Sequence, residues 1–330
     1  MNIEKYAPVV IPTLNRFDHF QKCLESLEKC MGAEQTDVFV AVDYPPSDKY
    51  KEGWLQINKY LETKEKNNKF KNLFIIRRES NLGVCNENAN DVRLIYDEIY
   101  PNYDRFIYTE DDNVFSPCFL DYVNKGLELS KSTNIEFVSG YRHLDMVIDA
   151  DYSSNYFISK AFSAWGFAVM VDKHKAFDEY QKFDKIRKIL KNKEQCKKIE
   201  QEKPGAVGAL LGMLKHHQIH GDTMHSIYMI LNDKYCLFPS LSKVTNCGAD
   251  GTGVHSVRVN QSQLQSFLNQ ERDKNKTFDF VKGPNGIKVF QRIRANTKPH
   301  NIRTTLKYLI LKFDFALFRI TGKTINSKYI

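Results

Sequence analysis

The sequence lacks the long apolar runs of membrane-spanning proteins, and we expect no secretory leader. No stretch of its 330 residues approaches the ~20 consecutive apolar residues that a membrane-spanning helix needs. The N-terminus has no apolar run typical of a signal peptide, and its first hydrophobic stretch already has the composition of a strand. We therefore expect a cytoplasmic protein that would meet a membrane only peripherally, at its inner face.

Cysteine is scarce and scattered, which argues against a disulfide framework and against a zinc site. The seven cysteines include no pair separated by two residues. An odd number of unclustered cysteines is typical of reduced, mostly buried thiols. The histidines His216, His217, His220 and His225 lie close in sequence, but no cysteine or carboxylate stands at zinc-ligand spacing. A zinc centre is therefore not expected.

Charge is unevenly distributed, and the excess of positive charge lies at the C-terminal end. Residues 282–330 contain eleven lysines and arginines against one acid, Asp314, whereas the rest of the chain has 37 basic and 39 acidic residues. Such a segment suits an anionic membrane surface, a phosphate-rich substrate or nucleic acid, and its sign alone does not choose among them. The chain length favours one α/β domain with an elaborated C-terminal part.

The basic end also contains a pattern of helical periodicity. Within residues 302–320, apolar residues recur at helical spacing, with Lys307, Lys312 and Arg319 among them. This pattern is typical of an interfacial helix with cationic flanks. A helix that packs on the domain and keeps its lysines in water explains it equally well.

Strand and helix signals alternate through the first half of the chain. Residues 7–11, 38–42, 73–76 and 105–109 are short, apolar and rich in β-forming residues. Helical spacing follows the first, second and third of them, with a helix expected over residues 86–99. This order predicts an α/β fold with a mostly parallel central sheet covered by helices on both faces.

Polar residues follow each of the four predicted strands. They are Thr13, Asn15 and Arg16 after the first, Asp43 after the second, Arg77 and Asn81 after the third, and Glu110, Asp111 and Asp112 after the fourth. Ligands of parallel α/β sheets collect at the carboxyl ends of the strands. We therefore expect these side chains to share one cleft.

The acidic triplet, Glu110-Asp111-Asp112, is the most informative of these groups. Adjacent carboxylates are costly unless something neutralises them, and Mn²⁺ or Mg²⁺ bridging to substrate phosphates would do so. On an extended strand end, Glu110 and Asp112 point to one side and Asp111 to the other, so all three need not be ligands. The alternative is an acidic cap for the helix expected to start near Pro117.

In this order and spacing, the segment Ile11-Pro12-Thr13-Leu14-Asn15-Arg16, together with Asp43, Asn81-Leu82-Gly83 and the acidic triplet, resembles the GT-A glycosyltransferases. The closest resemblance is to the family 2 sugar transferases of bacterial surface polysaccharides and to the N-acetylglucosaminyltransferase I group. It implies a Rossmann-like GT-A fold. Residues 1–140 would be its nucleotide-sugar-binding half, 141–280 the acceptor and catalytic half of the same domain, and 281–330 a basic helical tail.

The resemblance also implies roles for the strand-end residues. Pro12, Thr13 and Arg16 would border the nucleotide, Asp43 would contact the base, and Arg77 and Asn81 would line the base and ribose pocket. Asp112 would ligate the metal, Asp111 would face the ribose or a metal-bound water, and Glu110 would lie near the donor sugar.

In the second half the resemblance is looser. Asp222 matches the catalytic carboxylate that acts as a base, although a residue before an apolar helical run is also typical of a helix N-cap. His255 resembles a late histidine that ligates the metal or touches the diphosphate, or it is structural. Trp165, beside Gly166, would stack on an acceptor sugar or belong to the core.

Together these features predict a metal-dependent inverting glycosyltransferase. It would move a hexosyl or N-acetylhexosaminyl group from a UDP-sugar to a saccharide or lipid-linked oligosaccharide, in capsule, O-antigen or other glycoconjugate synthesis. A sugar nucleotidyltransferase is an alternative, but it should carry a glycine-rich phosphate loop, and residues 10–16 contain no glycine. A non-enzymatic membrane- or nucleic-acid-binding protein would leave the strand-end residues unexplained, so nucleic acid is not an expected partner.

Overall fold

The computed structural model describes residues 3–84, 86–253, 266, 270–292 and 302–324. Within these ranges the strands are β1 (Val9–Thr13), β2 (Asp37–Val42), β3 (Asn72–Arg77), β4 (Arg105–Tyr108), β5 (Asn113–Phe115), β6 (Ile135–Ser139), β7 (Tyr156–Ser159), β8 (Phe167–Met170), β9 (Tyr235–Pro239) and β10 (Val244–Asn246).

The helices of the same ranges surround these strands. They are α1 (Phe17–Leu27), α2 (Lys51–Lys66), α3 (Asn90–Leu94), α4 (Tyr100–Asn102), α5 (Phe119–Ser130), α6 (Val171–Asp178), α7 (Phe183–Lys191), α8 (Lys193–Glu202), α9 (Ala206–His216), α10 (Gly221–Leu231) and α11 (Ile302–Thr321). Short 3₁₀ turns cover Ala33–Gln35 and Asp48–Tyr50, and a π-helical segment, Ile95–Ile99, joins α3 to α4.

Eight of the strands form one sheet in the order β3-β2-β1-β4-β8-β6-β9-β7. β8 and β7 run antiparallel to their neighbours, whereas the other six strands share one direction. The predicted α/β fold with a mostly parallel sheet flanked by helices is therefore confirmed. β5 and β10 form a separate antiparallel pair.

The register of the sheet aligns the carboxyl ends of the first three strands. Thr13 pairs with Val42, and Val42 pairs with Arg77. The loops that follow β1, β2 and β3 consequently leave the sheet side by side. The polar residues that the sequence places after these strands therefore meet at one edge.

Alternating side chains of the sheet face two hydrophobic layers. On β1, Val10 belongs to the layer that contains Leu94 of α3, whereas Val9 and Ile11 belong to the layer that contains Phe20 of α1. These five side chains are almost completely buried. Burial of one such side chain contributes roughly 1.5–3 kcal/mol, so both faces of the sheet stabilise the cleft edge.

The helix predicted over residues 86–99 begins later than expected, at Asn90. The Asn86 side chain accepts a hydrogen bond from the backbone N–H of Asn88, and the backbone N–H of Ala89 donates to the Asn86 carbonyl. Asparagine favours such local turns over helix, which explains the late start.

The C-terminal helix α11 both packs on the protein and exposes apolar surface. Asp314 and Phe318 are buried, and α11 lies against α7 and α9. Leu309, Phe313 and Ile320 nevertheless remain 58%, 64% and 84% exposed. Among the described helices, none combines the length and apolarity needed to cross a membrane.

Gly53 lets α2 approach the loop after β1, and its replacement tests that contact. A Cβ at Gly53 would lie 1.9 Å from the Asn15 carbonyl oxygen. Alanine is intrinsically ~1 kcal/mol better than glycine in a helix, but a clash with backbone costs about 1–3 kcal/mol. We expect Gly53→Ala to lower the free energy of unfolding, measured with urea.

Gly212 in α9 is the matched control, because a Cβ there meets nothing within 4 Å. Gly212→Ala should leave stability unchanged or raise it by up to about 1 kcal/mol. Equal effects of the two substitutions would contradict the close approach at Gly53.

Candidate active site

The acidic triplet lies in the turn between β4 and β5, at the carboxyl edge of the sheet. β4 ends at Tyr108 and β5 begins at Asn113. The prediction that Asp111 points away from Glu110 and Asp112 is wrong, because the triplet lies in a turn and a turn has no two-residue period. Asp111 and Asp112 both contact Arg16. The helix-cap alternative is also wrong, since α5 begins at Phe119.

Arg16 supplies the positive charge that the triplet requires. Its Nη1 donates to Asp112 Oδ2 at 2.8 Å, and its Nη2 donates to Asp111 Oδ1. Burial alone would lower the pKa of Arg16, but the two carboxylates outweigh it and raise that pKa. Arg16 therefore holds the carboxylates of Asp111 and Asp112 in one ionic cluster. The sequence predicts that Arg16 borders the nucleotide, so this cluster would lie beside it.

The remaining carboxylate oxygens of this cluster are also engaged. Thr13 Oγ1 donates to Asp111 Oδ2 at 2.7 Å, and Asn246 Nδ2 donates to Asp112 Oδ1 at 2.6 Å. Burial raises the pKa of Asp111, and Arg16 opposes that rise. Each of the four oxygens thus accepts one hydrogen bond, which fixes the orientation of both side chains.

The second half of the chain closes over the triplet at Gly248. A Cβ at this position would lie 1.9 Å from Asp112 Oδ2, so only glycine fits without a shift. The backbone N–H of Cys247 donates to the Asp112 carbonyl, and His19 Nε2 lies 2.9 Å from Asp250 Oδ2. The loop after β10 is consequently tied to both the triplet and α1.

Asn246 is a site residue that sequence reasoning missed. It lies on β10, opposite Asn113 of β5, and donates to the Asn113 side chain at 3.0 Å as well as to Asp112. The two residues are 133 positions apart, and no local motif surrounds Asn246. Only the strand pairing brings it to the cluster.

Asp43 organises the turn that follows β3. Its carboxylate accepts hydrogen bonds from the backbone N–H groups of Tyr44, Leu82 and Gly83 at 2.9 Å each, and from Asn81 Nδ2 at 3.0 Å. Gly83 has a φ of +68°, which favours glycine. The four donors occupy both oxygens of the Asp43 carboxylate, so this side chain holds the shape of the pocket. No lone pair of Asp43 remains for the direct contact with a base that the sequence predicted.

Arg77 does not reach this pocket. Its Nε donates to Asn58 at 2.9 Å and its Nη1 to Glu65 at 3.2 Å, both on α2. The prediction that Arg77 lines the base and ribose pocket is therefore wrong. Side chains alternate between the two faces of β3, and that of Arg77 lies on the face that α2 covers.

The neighbouring Arg78 points toward α3 and not toward α2. Its Nε donates to Asn90 Oδ1 at 2.9 Å, while its buried Nη2 has no hydrogen-bond partner among the described residues. Burial lowers the pKa of Arg78, and Asp43 lies within electrostatic range. A buried guanidinium N–H without a partner suits an oxygen of a ligand.

Glu110 and Asp222 form a second pair of carboxyl groups, and they differ from the cluster held by Arg16. Neither side chain makes a hydrogen bond or an ion pair with the described residues, whose contacts with Glu110 and Asp222 are to the backbone oxygens. Burial raises the pKa of Glu110 to about 8, and the charges of Asp112 and Asp222 add to the effect. The structure thus brings Glu110 and Asp222 to the same cleft.

Asp222 stands in the first turn of α10, whose N-cap is His220, so the predicted cap alternative is wrong. Its side chain is open to water at the cleft. Surrounding protein nevertheless desolvates the carboxyl and raises its pKa, while Lys203 and Arg292 oppose that rise. A carboxyl pKa raised above its ordinary value is a property of many general bases.

His225 fixes the start of α10. Its ring stacks between Phe162 and Phe177, with both pairs of ring centroids 3.7 Å apart. Burial lowers the pKa of His225 well below its ordinary value, so the ring is neutral, and its Nδ1 donates to the Gly221 carbonyl at 2.8 Å. His225 therefore positions the turn that carries Asp222.

Trp165 and Gly166 lie at the end of the same sheet edge, before β8. Trp165 is half-buried, with its ring edge-to-face against Tyr141 at 4.5 Å. Gly166 has a φ of +72°, and its carbonyl accepts a hydrogen bond from the backbone N–H of Gly140 at 2.7 Å. The tryptophan therefore packs on the protein with one part and presents the rest to solvent.

The donor chemistry of Asp112 fits a hard divalent cation. Each of its oxygens accepts one hydrogen bond, which leaves a lone pair on each, and Mg²⁺ is typically held by one or two carboxylates plus substrate phosphates. Among the described residues, no three His, Cys, Asp or Glu side chains assemble into a metal centre. His255, the other predicted ligand, lies outside the described residues.

Comparisons with known proteins found likenesses of shape only. No protein-family model and no curated protein matches the sequence. The S. aureus TarS structure of residues 1–349 is 14% identical, covers 52% of this chain and 49% of its own, and has a TM-score of 0.37. The bifunctional glycosyltransferase WbbM is 12% identical, covers 54% and 34%, and has a TM-score of 0.32.

A third solved structure is the glycosyltransferase GlyE of Streptococcus pneumoniae TIGR4. It is 11% identical, covers 72% of this chain and 45% of its own, and has a TM-score of 0.32. The chain spans 30% to 49% of the length of the solved structures reported as similar. Because these likenesses are weak, the function proposed below rests on the residues of the cleft.

Replacement of Arg16 should lower the free energy of unfolding, because Arg16 neutralises two buried carboxylates. Arg16→Ala leaves Asp111 and Asp112 without a countercharge, and breaking a buried pair costs about 3–5 kcal/mol. We expect a loss of that order in the free energy of unfolding at pH 7, with a smaller loss for Arg16→Lys. The exposed pair of Arg93 and Asp97 is the control. Arg93→Ala should cost less than about 1 kcal/mol, and equal losses would contradict the role of Arg16.

The raised pKa of Glu110 predicts a specific pH dependence of stability. Between its ordinary value of 4.5 and about 8, the folded protein binds a proton that the unfolded chain releases. Stability is therefore lost as pH rises through this window, by up to about 1.4 kcal/mol per pH unit. Glu110→Gln should lack this loss in metal-free urea unfolding at pH 5, 6.5 and 8. Parallel pH profiles of the two proteins would contradict the shift.

Proposed function

We propose that this chain is a metal-dependent inverting glycosyltransferase that moves a sugar from a UDP-sugar to a saccharide acceptor. The observation that carries the proposal is the meeting of two different carboxyl pairs at the carboxyl edge of a parallel sheet. Asp111 and Asp112 are buried and held in place by Arg16, whereas Glu110 and Asp222 form no hydrogen bond or ion pair with the described residues, and the surrounding protein raises the pKa of both. Carboxylates that can hold a cation for the diphosphate, and a carboxylate that can take the proton of the acceptor, are two elements that glycosyl transfer needs.

The nucleotide would lie between the loops that follow β1, β2 and β3. Asp43 pre-forms the turn at Asn81 and Gly83, and Pro12 and Thr13 end β1 beside it. Arg78 offers a buried N–H to a ribose or phosphate oxygen. This arrangement supports a pocket that recognises a nucleoside diphosphate with little rearrangement of the backbone.

The divalent cation, Mn²⁺ or Mg²⁺, would bind at Asp112 and complete its shell with the diphosphate. When bound, it would supply a Lewis acid that stabilises the negative charge of the leaving group. Arg16 lies against the same carboxylate and contributes positive charge from the protein side. The departing nucleoside diphosphate would thus leave on the side of the cleft where Asp112 and Arg16 lie.

Asp222 would be the base of the reaction. In an inverting transfer, the acceptor oxygen forms a bond to the anomeric carbon while the bond from that carbon to the diphosphate oxygen breaks. The hydroxyl proton passes to the Asp222 carboxylate, whose raised pKa suits this task. Glu110, whose pKa burial raises to about 8, would hydrogen-bond to the donor sugar.

The acceptor would approach from the second half of the protein, past Trp165 and Gly166. The half-buried Trp165 ring provides an apolar surface on which a sugar ring can stack. A saccharide or a lipid-linked oligosaccharide fits this approach, and the transferred group would be a hexose or an N-acetylhexosamine. Synthesis of surface polysaccharide or another glycoconjugate is the process that we infer.

Nucleotide-dependent thermal stability tests this proposal most directly. The purified protein is heated with UDP, CDP, GDP or ATP, each with and without Mn²⁺. We expect UDP to raise the melting temperature, and Mn²⁺ to increase that rise. Stabilisation by CDP or a nucleoside triphosphate alone would indicate a nucleotidyltransferase or another nucleotide-binding protein.

The two carboxylates should fail in different ways when they are replaced. Asp222→Asn should retain metal-dependent UDP binding but lose transfer by about 100-fold or more, because only the base is removed. Asp112→Asn should lose both, because it removes the cation ligand. Transfer is measured with a panel of UDP-sugars.

Asp233→Asn, just beyond the end of α10, is the matched control, because the Asp233 carboxylate is exposed and pairs only with lysines among the described residues. It should retain near-normal activity. Near-normal turnover in Asp222→Asn as well would remove Asp222 as the base.

A further inference from the structure

The exposed face of α11 is an apolar stripe that the rest of the described protein leaves uncovered. Leu309, Phe313 and Ile320 are 58%, 64% and 84% exposed, and Ala316 is exposed between them. Their spacing of four, three and four residues places all four on one side of a helix. The opposite side, with Asp314 and Phe318, is buried. Packing on the domain therefore leaves this stripe available.

A groove runs along one flank of the stripe. It has a volume of about 320 Å³, and its apolar walls include Val207 and Gly208 of α9 and Leu311 and Phe315 of α11. A Cβ at Gly208 would lie 3.0 Å from a Leu311 methyl carbon, so glycine at this position permits the two helices to approach. The groove is thus bounded by both helices and opens beside the exposed stripe.

Positive charge surrounds the mouth of this groove. Its lining includes Lys193, Lys197, Lys312 and Arg319, against a single acid, Glu200. The Glu200 carboxylate already accepts hydrogen bonds from the backbone N–H groups of Gly205 and Val207, at 2.8 Å and 2.7 Å. The acid is therefore committed to the start of α9, and the rim presents net positive charge.

The position of the cations on α11 completes the pattern. At 100° per residue, Lys312 and Arg319 lie between the buried side of the helix and the apolar stripe. Arg319 also stacks over the Phe315 ring, with 5.4 Å between guanidinium carbon and ring centroid, so its charge stays at the groove mouth. An apolar stripe bordered by cations is the arrangement of helices that lie in the interface of a bilayer.

We propose that α11 and the adjoining groove dock the protein on the surface of an anionic phospholipid bilayer. Leu309, Phe313 and Ile320 enter the acyl boundary, and the cationic rim meets the anionic headgroups. The charge complementarity chooses this occupant over a second copy of the chain, because two copies of a basic face repel each other. This proposal is independent of the proposed reaction, since it concerns a surface that does not include the cleft.

Sedimentation with lipid vesicles tests the proposal on the full chain. Vesicles of phosphatidylcholine alone are compared with vesicles containing 30 mol% phosphatidylglycerol, at low and at high salt. The protein is expected to sediment with the anionic vesicles only, and salt should weaken that binding. Absence of binding, or equal binding to neutral vesicles, would overturn the proposal.

Two matched substitutions separate apolar insertion from general surface effects. Leu309→Ser combined with Phe313→Ser should weaken binding to the anionic vesicles at least about tenfold. Leu55→Ser is the control, since Leu55 on α2 is also 58% exposed. Unchanged binding by the double variant, or an equal loss in the control, would contradict insertion of the stripe.

The charge component has its own pair of variants, which also serve if the double variant does not fold. Lys312→Gln should weaken anionic binding about fivefold, whereas Lys59→Gln, on the exposed side of α2, should change it little. Light scattering of the free protein completes the test. A dimer that the double variant dissociates would assign the stripe to a second copy and overturn the membrane proposal.

Discussion

The ion pair network of Arg16 with Asp111 and Asp112 is the constraint on which the rest of the cleft depends. Three consecutive acidic residues at a sheet edge repel one another, and two of them are buried. Arg16 comes from the loop after β1 and meets carboxylates that follow β4, the neighbouring strand. The cluster therefore ties together the two loops that flank the centre of the sheet.

Further contacts around the Arg16 cluster give the pocket a fixed shape. Asn246 and Gly248 bring the second half of the chain against Asp112, and Asp43 holds the turn after β3 with four hydrogen bonds. Because these polar groups already satisfy one another, their positions do not depend on a ligand. Among the described residues, Arg78, Glu110 and Asp222 keep unused hydrogen-bonding capacity, and to these we assign contact with substrates.

Groups with and without hydrogen-bond partners also correspond to the two proposed steps, which are binding of the nucleotide-sugar and proton transfer from the acceptor. Binding relies on the two carboxylates that Arg16 holds by ion pairs. Proton transfer relies on the Asp222 carboxyl, whose pKa is raised by desolvation and which makes no ion pair with Arg16. The protein obtains both environments in one cleft by placing Asp222 on α10, a helix of the second half.

The sequence was sufficient to predict the parallel half of the sheet and the strand-end location of the polar residues. Period and composition determine where β1 to β4 form, and parallel strands necessarily bring their carboxyl ends together. Some contacts could not be predicted from the sequence. Asn246 reaches Asp112 through a strand pairing across 134 residues, and Arg77 turns toward Asn58 of α2 whereas Arg78 turns toward Asn90 of α3. The turn geometry of the triplet likewise depends on Arg16, which no local pattern connects to it.

A crystal of the protein soaked with UDP and Mn²⁺ measures the central claim directly, through anomalous scattering at the manganese edge. The account predicts one manganese peak at ligand distance from a carboxylate oxygen of Asp112, in contact with the diphosphate. The uridine should lie against the turn that Asp43 holds. Nucleotide density away from the carboxyl edge of the sheet, or manganese bound without contact to Asp112, would contradict it.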